Sequence, residues 1–236
     1  MRYFGGKFRI HKMVSEILND LIENENQTFL SPFVGGAWVE HLINSKYKIC
    51  ADSHKYLIDM YNALQNGWIL PNSISEEEYK YIKDNLDEKS YLSGFVGFAC
   101  SFAGKWFGGY VRDRRNYSNY CLSGKNSLLK QMRNLQRDNT IFLNCDYTIF
   151  SPNNMIIYCD PPYRNTTKYS KITGKFDHNE FWDTMRLWSK NNIVIISEYN
   201  APEDFECIWE YNTKTDIRNK NGIGEIRIEK LFRFKF

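Results

Sequence analysis

The sequence predicts an α/β fold: a mostly parallel sheet covered by helices and interrupted by one mainly helical insert. Three observations carry this. Short apolar runs alternate with amphipathic helical patterns up to residue 67. The alternation is lost from 68 to 137, and strand-like runs return from 138 to the end. That division makes 1–67 and 138–236 one catalytic-type domain and 68–137 an insert the size of a small subdomain.

The elements follow in order. Residues 10–24 place Ile10, Met13, Val14, Ile17, Leu18 and Leu21 on one helical face. Residues 27–33 read as a short strand ending at Gly35-Gly36, followed by a helix at 37–45 and a second strand at 47–52. Another amphipathic helix spans 54–66. Within the insert, 72–90 is acidic and helical, 91–104 is apolar and rich in Gly and Ala, 105–124 has no regular period, and 125–137 is a basic helix. Strands are expected at 140–145, 154–159, 192–197, 206–212 and 225–234, with a helix at 177–191 among them.

Composition narrows the class. Of 236 residues, 42% are hydrophobic and 25% charged, which fits a folded globular chain and excludes a disordered or fibrous one. The net charge is only +3, so a nucleic-acid surface has to come from local clustering. Cys50, Cys100, Cys121, Cys145, Cys159 and Cys207 form no Cys-x-x-Cys pair and have no His at ligand spacing, so no metal is expected. The first ten residues, MRYFGGKFRI, are neither a signal peptide nor a membrane anchor, so the expected location is a reducing cytosol.

Asp160-Pro161-Pro162-Tyr163 is the strongest chemical signal, directly after the run MIIYC. Two prolines stiffen the backbone where a strand leaves the sheet, so an acid and a phenol are held at its edge. An exocyclic base amine is a poor nucleophile because its lone pair is delocalised into the ring. Acceptors for its two N–H bonds, here the Asp160 carboxylate and the Pro161 carbonyl, favour a more pyramidal and more nucleophilic nitrogen. Tyr163 can stack on a base taken out of the duplex. Three further features fall just after strand ends. Phe33-Val34-Gly35-Gly36-Ala37 allows close backbone approach to a ligand. Asp52 stands where an acid can meet ribose hydroxyls, and Asp146 where one can meet an adenine amine. The carboxyl edge of an open α/β sheet is where ligands bind.

With these motifs the chain resembles the Dam-type DNA adenine methylases, most of all the short solitary versions of phages and prophages. The opening Tyr3-Phe4-Gly5-Gly6-Lys7 matches the family's aromatic-x-Gly-Gly-Lys motif. Further similar stretches are DSHKYLIDMYNALQNGW, GFACSFAGKWFGGYVRD, YRNTTKY and SEYNAPEDFECIWE. The resemblance implies a Rossmann-like S-adenosylmethionine-dependent methyltransferase sheet with a target-recognition insert. It implies methyl transfer to adenine N6 in double-stranded DNA by base flipping. It places Tyr3 and Lys7 on the cofactor, Asp52 on its ribose, and Asp160 on both its methionine end and the target amine; Phe33, Gly35, Gly36 and Asp146, at the strand ends, complete the expected cofactor-binding set. A monomer or weak dimer in a bacterial or phage-infected cytosol follows. Some positions depart from the family: Ser31 replaces the usual Glu before Pro-Phe, Ala37 the last loop Gly, and Ser53-His54 the frequent Ile-Asn.

Residues 105–137 hold eight Lys or Arg and one acid, against six acids in 76–88. The basic segment is the expected DNA reader, through Arg112, Arg114, Arg115, Lys125, Lys130 and Arg133, with Tyr169 of the YRNTTKY stretch. A weaker basic stretch lies near the C-terminus. Alternatives are an amino-methyltransferase for cytosine N4, which more often has Ser before Pro-Pro-Tyr, and a protein or RNA methylase, which more often has Asn there. A non-catalytic DNA-binding relative is the third.

Overall fold

Seven strands pair into one sheet: β1 Phe29–Ser31, β2 Tyr47–Asp52, β3 Asn139–Asn144, β4 Ile156–Cys159, β5 Ile193–Glu198, β6 Phe205–Arg218 and β7 Gly224–Phe234. The computed structural model from which they are read describes residues 1–112, 118–164, 176–218 and 224–236. The order across the sheet is β3-β2-β1-β4-β5-β7-β6. The first five strands are parallel, as buried βα repeats dictate, and β7 pairs antiparallel with both β5 and β6. This is a Rossmann-like sheet whose strand order reverses between β1 and β4, the point at which such sheets bind ligands.

Alternation along the strands sends side chains to two different cores. Phe29, Ile156, Tyr158, Ile195 and Leu231 meet Val14 and Leu18 of helix α1, His11–Asp20. Leu30, Ile157, Cys159, Ile196 and Phe232 meet Phe181 and Met185 of helix α6, His178–Ser189. α6 starts where Asp177 accepts from the N–H groups of Asn179 and Glu180, so the cap sets its first turn.

Between β2 and β3 lie α2 Lys55–Gln65, α3 Glu76–Asp84, α4 Ser90–Ala99 and α5 Tyr120–Arg137. Ser75 and Glu78 close a capping box at the start of α3, and Asn119 caps α5. Leu57 and Leu64 of α2, Phe95 of α4, Leu128 of α5 and Phe142 of β3 share one core, so the insert helices pack directly onto the sheet domain. α4 lies tight on α2 because residue 94 is Gly; a Cβ there would stand 1.9 Å from the Tyr56 carbonyl oxygen.

One expected element is absent. Residues 37–45, read as a helix, form turns and a single 3₁₀ turn at Glu40–Leu42. Ala37 takes a left-handed φ of 50°, which no α-helix accommodates, and the chain goes straight on to β2. The other elements fall where they are expected, with ends moved by a few residues. α5 begins five residues earlier than the basic helix at 125, at Tyr120, and β6 continues well past 212 to Arg218.

Candidate active site

Asp160-Pro161-Pro162-Tyr163 leaves β4 beside the reversal of strand order. Lys7 Nζ donates to Asp160 Oδ1 at 2.6 Å, with the two side chains 7% and 19% exposed. Burial pushes the Asp160 carboxyl above its ordinary range, against the pull of Lys7. Burial alone would lower Lys7, but the charges of Asp160 and Glu229 outweigh it and hold the ammonium up. Lys7 thus orients one oxygen of the Asp160 carboxyl. Among the described residues the Pro161 carbonyl accepts no hydrogen bond.

Tyr163 is more constrained than a free stacking platform. Its hydroxyl shares a 2.6 Å hydrogen bond with Ser197 and donates to Glu229 at 3.3 Å. The Lys7 ammonium lies 4.6 Å from its ring centre, and Tyr199 meets it edge-on. Glu198, at the end of β5, accepts from the Arg164 and Tyr199 backbone N–H groups. It thereby holds the exit of the motif to the neighbouring strand.

The glycine loop follows β1. Gly35 has φ 45°, and a Cβ on Gly35 or Gly36 would press on Tyr3 at 3.0 or 2.9 Å. The glycines thus admit the Tyr3 ring as well as a close backbone. Because no helix follows, the loop presents no helix N-terminus; it is held from outside instead. Asp52 at the end of β2 accepts from Gly35 N–H at 3.0 Å and from His54 N–H at 2.9 Å. Tyr61 of α2 donates to the Gly35 carbonyl at 2.9 Å, and Gln131 of α5 donates to the Gly36 and Ala37 carbonyls. Tyr61 and Gln131 were not foreseen, since nothing local marks a helical Tyr or Gln that reaches a loop far away in sequence.

Asp52, Asp146, Asp160, Phe33, Gly35, Gly36, Tyr3, Lys7, Pro162 and Tyr163 all line one open cavity of about 950 Å³. Asp146 is exposed at its far end, where its carboxylate accepts from the Thr148 N–H and hydroxyl. The N-terminal motif forms a wall against the insert: Phe4 N–H donates to the Gly104 carbonyl at 3.0 Å and Tyr3 packs on Phe98. Lys105, Trp106 and Gly108 complete that side.

Two cavity-lining groups lacked any sequence signal. His54 caps α2 by accepting from Leu57 N–H through Nδ1, which leaves Nε2 as the donor; that atom is buried and has no hydrogen-bond partner among the described residues. Burial lowers His54 to about 4, so it is neutral. Glu40 is buried, accepts from the Ser31 hydroxyl at 2.8 Å and Val39 N–H at 3.2 Å, and is pushed by burial up to about 7.

The expected DNA-binding residues separate. Arg112 is held by Glu76 in a two-bond pair, Nε to Oε2 at 2.9 Å and Nη2 to Oε1 at 2.5 Å. Lys125 donates to the Leu70 carbonyl and Asn72, strapping the insert together. Lys130 and Arg133 are exposed on α5. That helix runs back toward the amino edge of the sheet, because it feeds the first residue of β3. Arg114, Arg115 and Tyr169 lie outside the described residues. Among the described residues no His, Cys, Asp or Glu cluster has the makings of a metal site, and no helix is long and apolar enough to cross a membrane.

The chain is 24% identical over 205 residues to the DNA adenine methylase of Haemophilus influenzae, covering 77% of this chain and 68% of the relative. It is 25% identical over 245 residues to the type II methyltransferase M.CviBI of Paramecium bursaria Chlorella virus NC1A, covering 92% and 85%. Among solved structures, an rRNA methylase from Streptococcus thermophilus superposes with a TM-score of 0.41 at 8% identity, over 96% of this chain and 98% of that one. Residues 3–101, which carry the N-terminal motif, the glycine loop and Asp52, match the family model of the D12 class N6 adenine-specific DNA methyltransferases. Over those residues the chain is similar to the D12 class of N6 adenine-specific DNA methyltransferases.

Proposed function

We propose that the 950 Å³ cavity holds S-adenosylmethionine along the sheet edge and receives an adenine flipped from double-stranded DNA beside Asp160. The observation that carries this reading is the meeting, around one cavity, of the glycine loop, Asp52 and the Asp160–Tyr163 motif at the reversal of strand order. The residues fit the cofactor. Asp52 keeps lone pairs for ribose hydroxyls, Asp146 stands over β3 for the adenine end, and His54 Nε2 is a buried donor in want of an acceptor. When bound, S-adenosylmethionine supplies a methyl group already activated on a sulfonium.

The chain then has to orient the amine and keep water out. Lys7 holds Asp160 Oδ1, and the carboxylate so oriented accepts, with the Pro161 carbonyl, the two N–H bonds of adenine N6. Pro161 and Pro162 keep these acceptors in place, so no reorganisation is needed as positive charge develops on nitrogen. Tyr163, anchored through its hydroxyl, supplies a fixed ring against the base. No metal enters this chemistry. Residues 68–137 serve as the recognition insert. Arg112, Arg114 and Arg115 touch the bases, while Lys130 and Arg133 add phosphate contacts. The enzyme works as a monomer or weak dimer in the cytosol. Tritiated methyl transfer to duplex oligonucleotides with adenine or cytosine as the sole modifiable base tests the reading. Label on adenine that disappears in Asp160→Ala is expected; label on cytosine alone refutes it.

A further inference from the structure

Glu40 is a buried acid that the scheme above does not use. Its position follows from a departure in sequence: the family's usual Glu before Pro-Phe is Ser31 here, and Ser31 is fully buried at the end of β1. Glu40 lies nine residues on, at the start of the 3₁₀ turn that replaces the expected helix. The turn brings its side chain back, so that the Ser31 hydroxyl donates to Oε1 at 2.8 Å while Val39 N–H donates to Oε2 at 3.2 Å. A carboxylate is thus restored to the end of β1 from a different point in the chain.

Its surroundings lack a counter-charge. Glu40 is 3% exposed, lines the cavity, and pairs with no cation among the described residues. Asp160, whose charge acts on it, is already matched by Lys7. A buried carboxylate held by two neutral donors is costly as an anion, and burial raises it accordingly. An incoming ammonium would relieve that cost.

The sheet order says which ammonium. Asp146, Asp52, the glycine loop and Asp160 follow β3, β2, β1 and β4, strands that are neighbours in that order and ~4.8 Å apart. With the ribose at Asp52 and the purine toward Asp146, the amino-acid end of the cofactor has to lie over β1, where Glu40 is. We propose that Glu40 forms the ion pair with the α-ammonium of S-adenosylmethionine.

This rests on the cofactor orientation above, and the test separates the two. Calorimetry would compare S-adenosylhomocysteine, its deamino analogue, and 5′-methylthioadenosine, which lacks the amino-acid end. Wild type is expected to bind 5′-methylthioadenosine and S-adenosylhomocysteine, and to lose on the order of ten- to a hundredfold with the deamino analogue. Glu40→Gln should lose a similar factor for S-adenosylhomocysteine, leave 5′-methylthioadenosine unchanged, and show no further loss with the deamino analogue. Unchanged 5′-methylthioadenosine affinity also shows that the variant is folded. Should Glu40→Gln not fold, Glu40→Asp keeps the charge and should weaken S-adenosylhomocysteine alone by a smaller factor. Equal affinity of wild type for the amino and deamino ligands overturns the assignment. So does a Glu40 variant that binds S-adenosylhomocysteine normally, or one that loses both nucleosides equally. Wild type that binds no adenosine ligand at all would instead refute the cofactor reading.

Discussion

Asp160→Ala tests catalysis and stability together, because Asp160 is both the proposed acceptor for the target amine and the partner of a buried Lys7. The pair is 2.6 Å long with exposures of 7% and 19%. Removing the acid leaves an ammonium inside the protein with only the more distant charge of Glu229 to offset it. Breaking a fully buried pair costs about 3–5 kcal/mol; the residual exposure of Asp160 reduces this to roughly 2–4. Turnover should fall by about two to three orders of magnitude, the consequence of losing about 3–4 kcal/mol of preorganised stabilisation. The two effects can be separated by adding Lys7→Met, which removes the stranded charge without restoring the acceptor. Urea unfolding should show the double variant regaining most of the lost stability, and tritiated methyl transfer at saturating DNA and cofactor should show it still inactive. Near-normal turnover in Asp160→Ala would refute the mechanism. A double variant no more stable than the single one would show that the ion pair is not what Asp160 contributes to the fold.

Asp52→Ala should weaken S-adenosylhomocysteine binding by about ten- to a hundredfold in calorimetry and also lower stability by about 1–3 kcal/mol, because the Gly35 and His54 N–H groups lose their acceptor. Gly94→Ala should cost roughly 3 kcal/mol in urea unfolding, since its Cβ would stand 1.9 Å from the Tyr56 carbonyl oxygen and α4 would have to move off α2. His54→Asn keeps a capping side chain but removes a histidine that burial holds at about 4. The unfolded chain takes up a proton near 6.5 that the folded one refuses. The contribution is therefore fully present above about 6.5 and is lost as pH falls toward 4, so the wild-type-minus-variant stability should drop by roughly 2 kcal/mol between pH 7 and pH 5. Glu76→Gln should release Arg112 and steepen the salt dependence of DNA binding by up to about one unit, whereas Arg112→Ala should change which sites are methylated on a random library. An unchanged slope and profile in both would remove Arg112 from the interface.

Much of this was legible because the signals are local. The run before Asp160 could only be a buried strand, and two prolines can only end it, so Asp160 and Tyr163 belong to the sheet edge whatever the rest of the chain does. The glycine loop and Asp52 follow from the same strand logic, and all of these do line one cavity. The reading failed at 37–45, where the apolar spacing suits a helix but the left-handed backbone at Ala37 and the short path to β2 leave room for a 3₁₀ turn only. Charge counting in the insert was equally incomplete. It could not show that Arg112 is spoken for by Glu76 or that Lys125 is tied to Leu70 and Asn72, because those partners are distant in sequence.

By itself, then, the sequence determined the α/β alternation, the strand ends that carry the acids, and the methyltransferase motif, since period, turn chemistry and proline geometry act over a few residues. Tertiary structure alone decided that Lys7 orients Asp160, that Tyr61 and Gln131 hold the glycine loop, and that Glu40 returns to the end of β1 beside Ser31. Those are contacts between residues from 9 to 153 positions apart. Their existence depends on strand order and on which polar groups burial leaves needing a partner, and no local pattern encodes either.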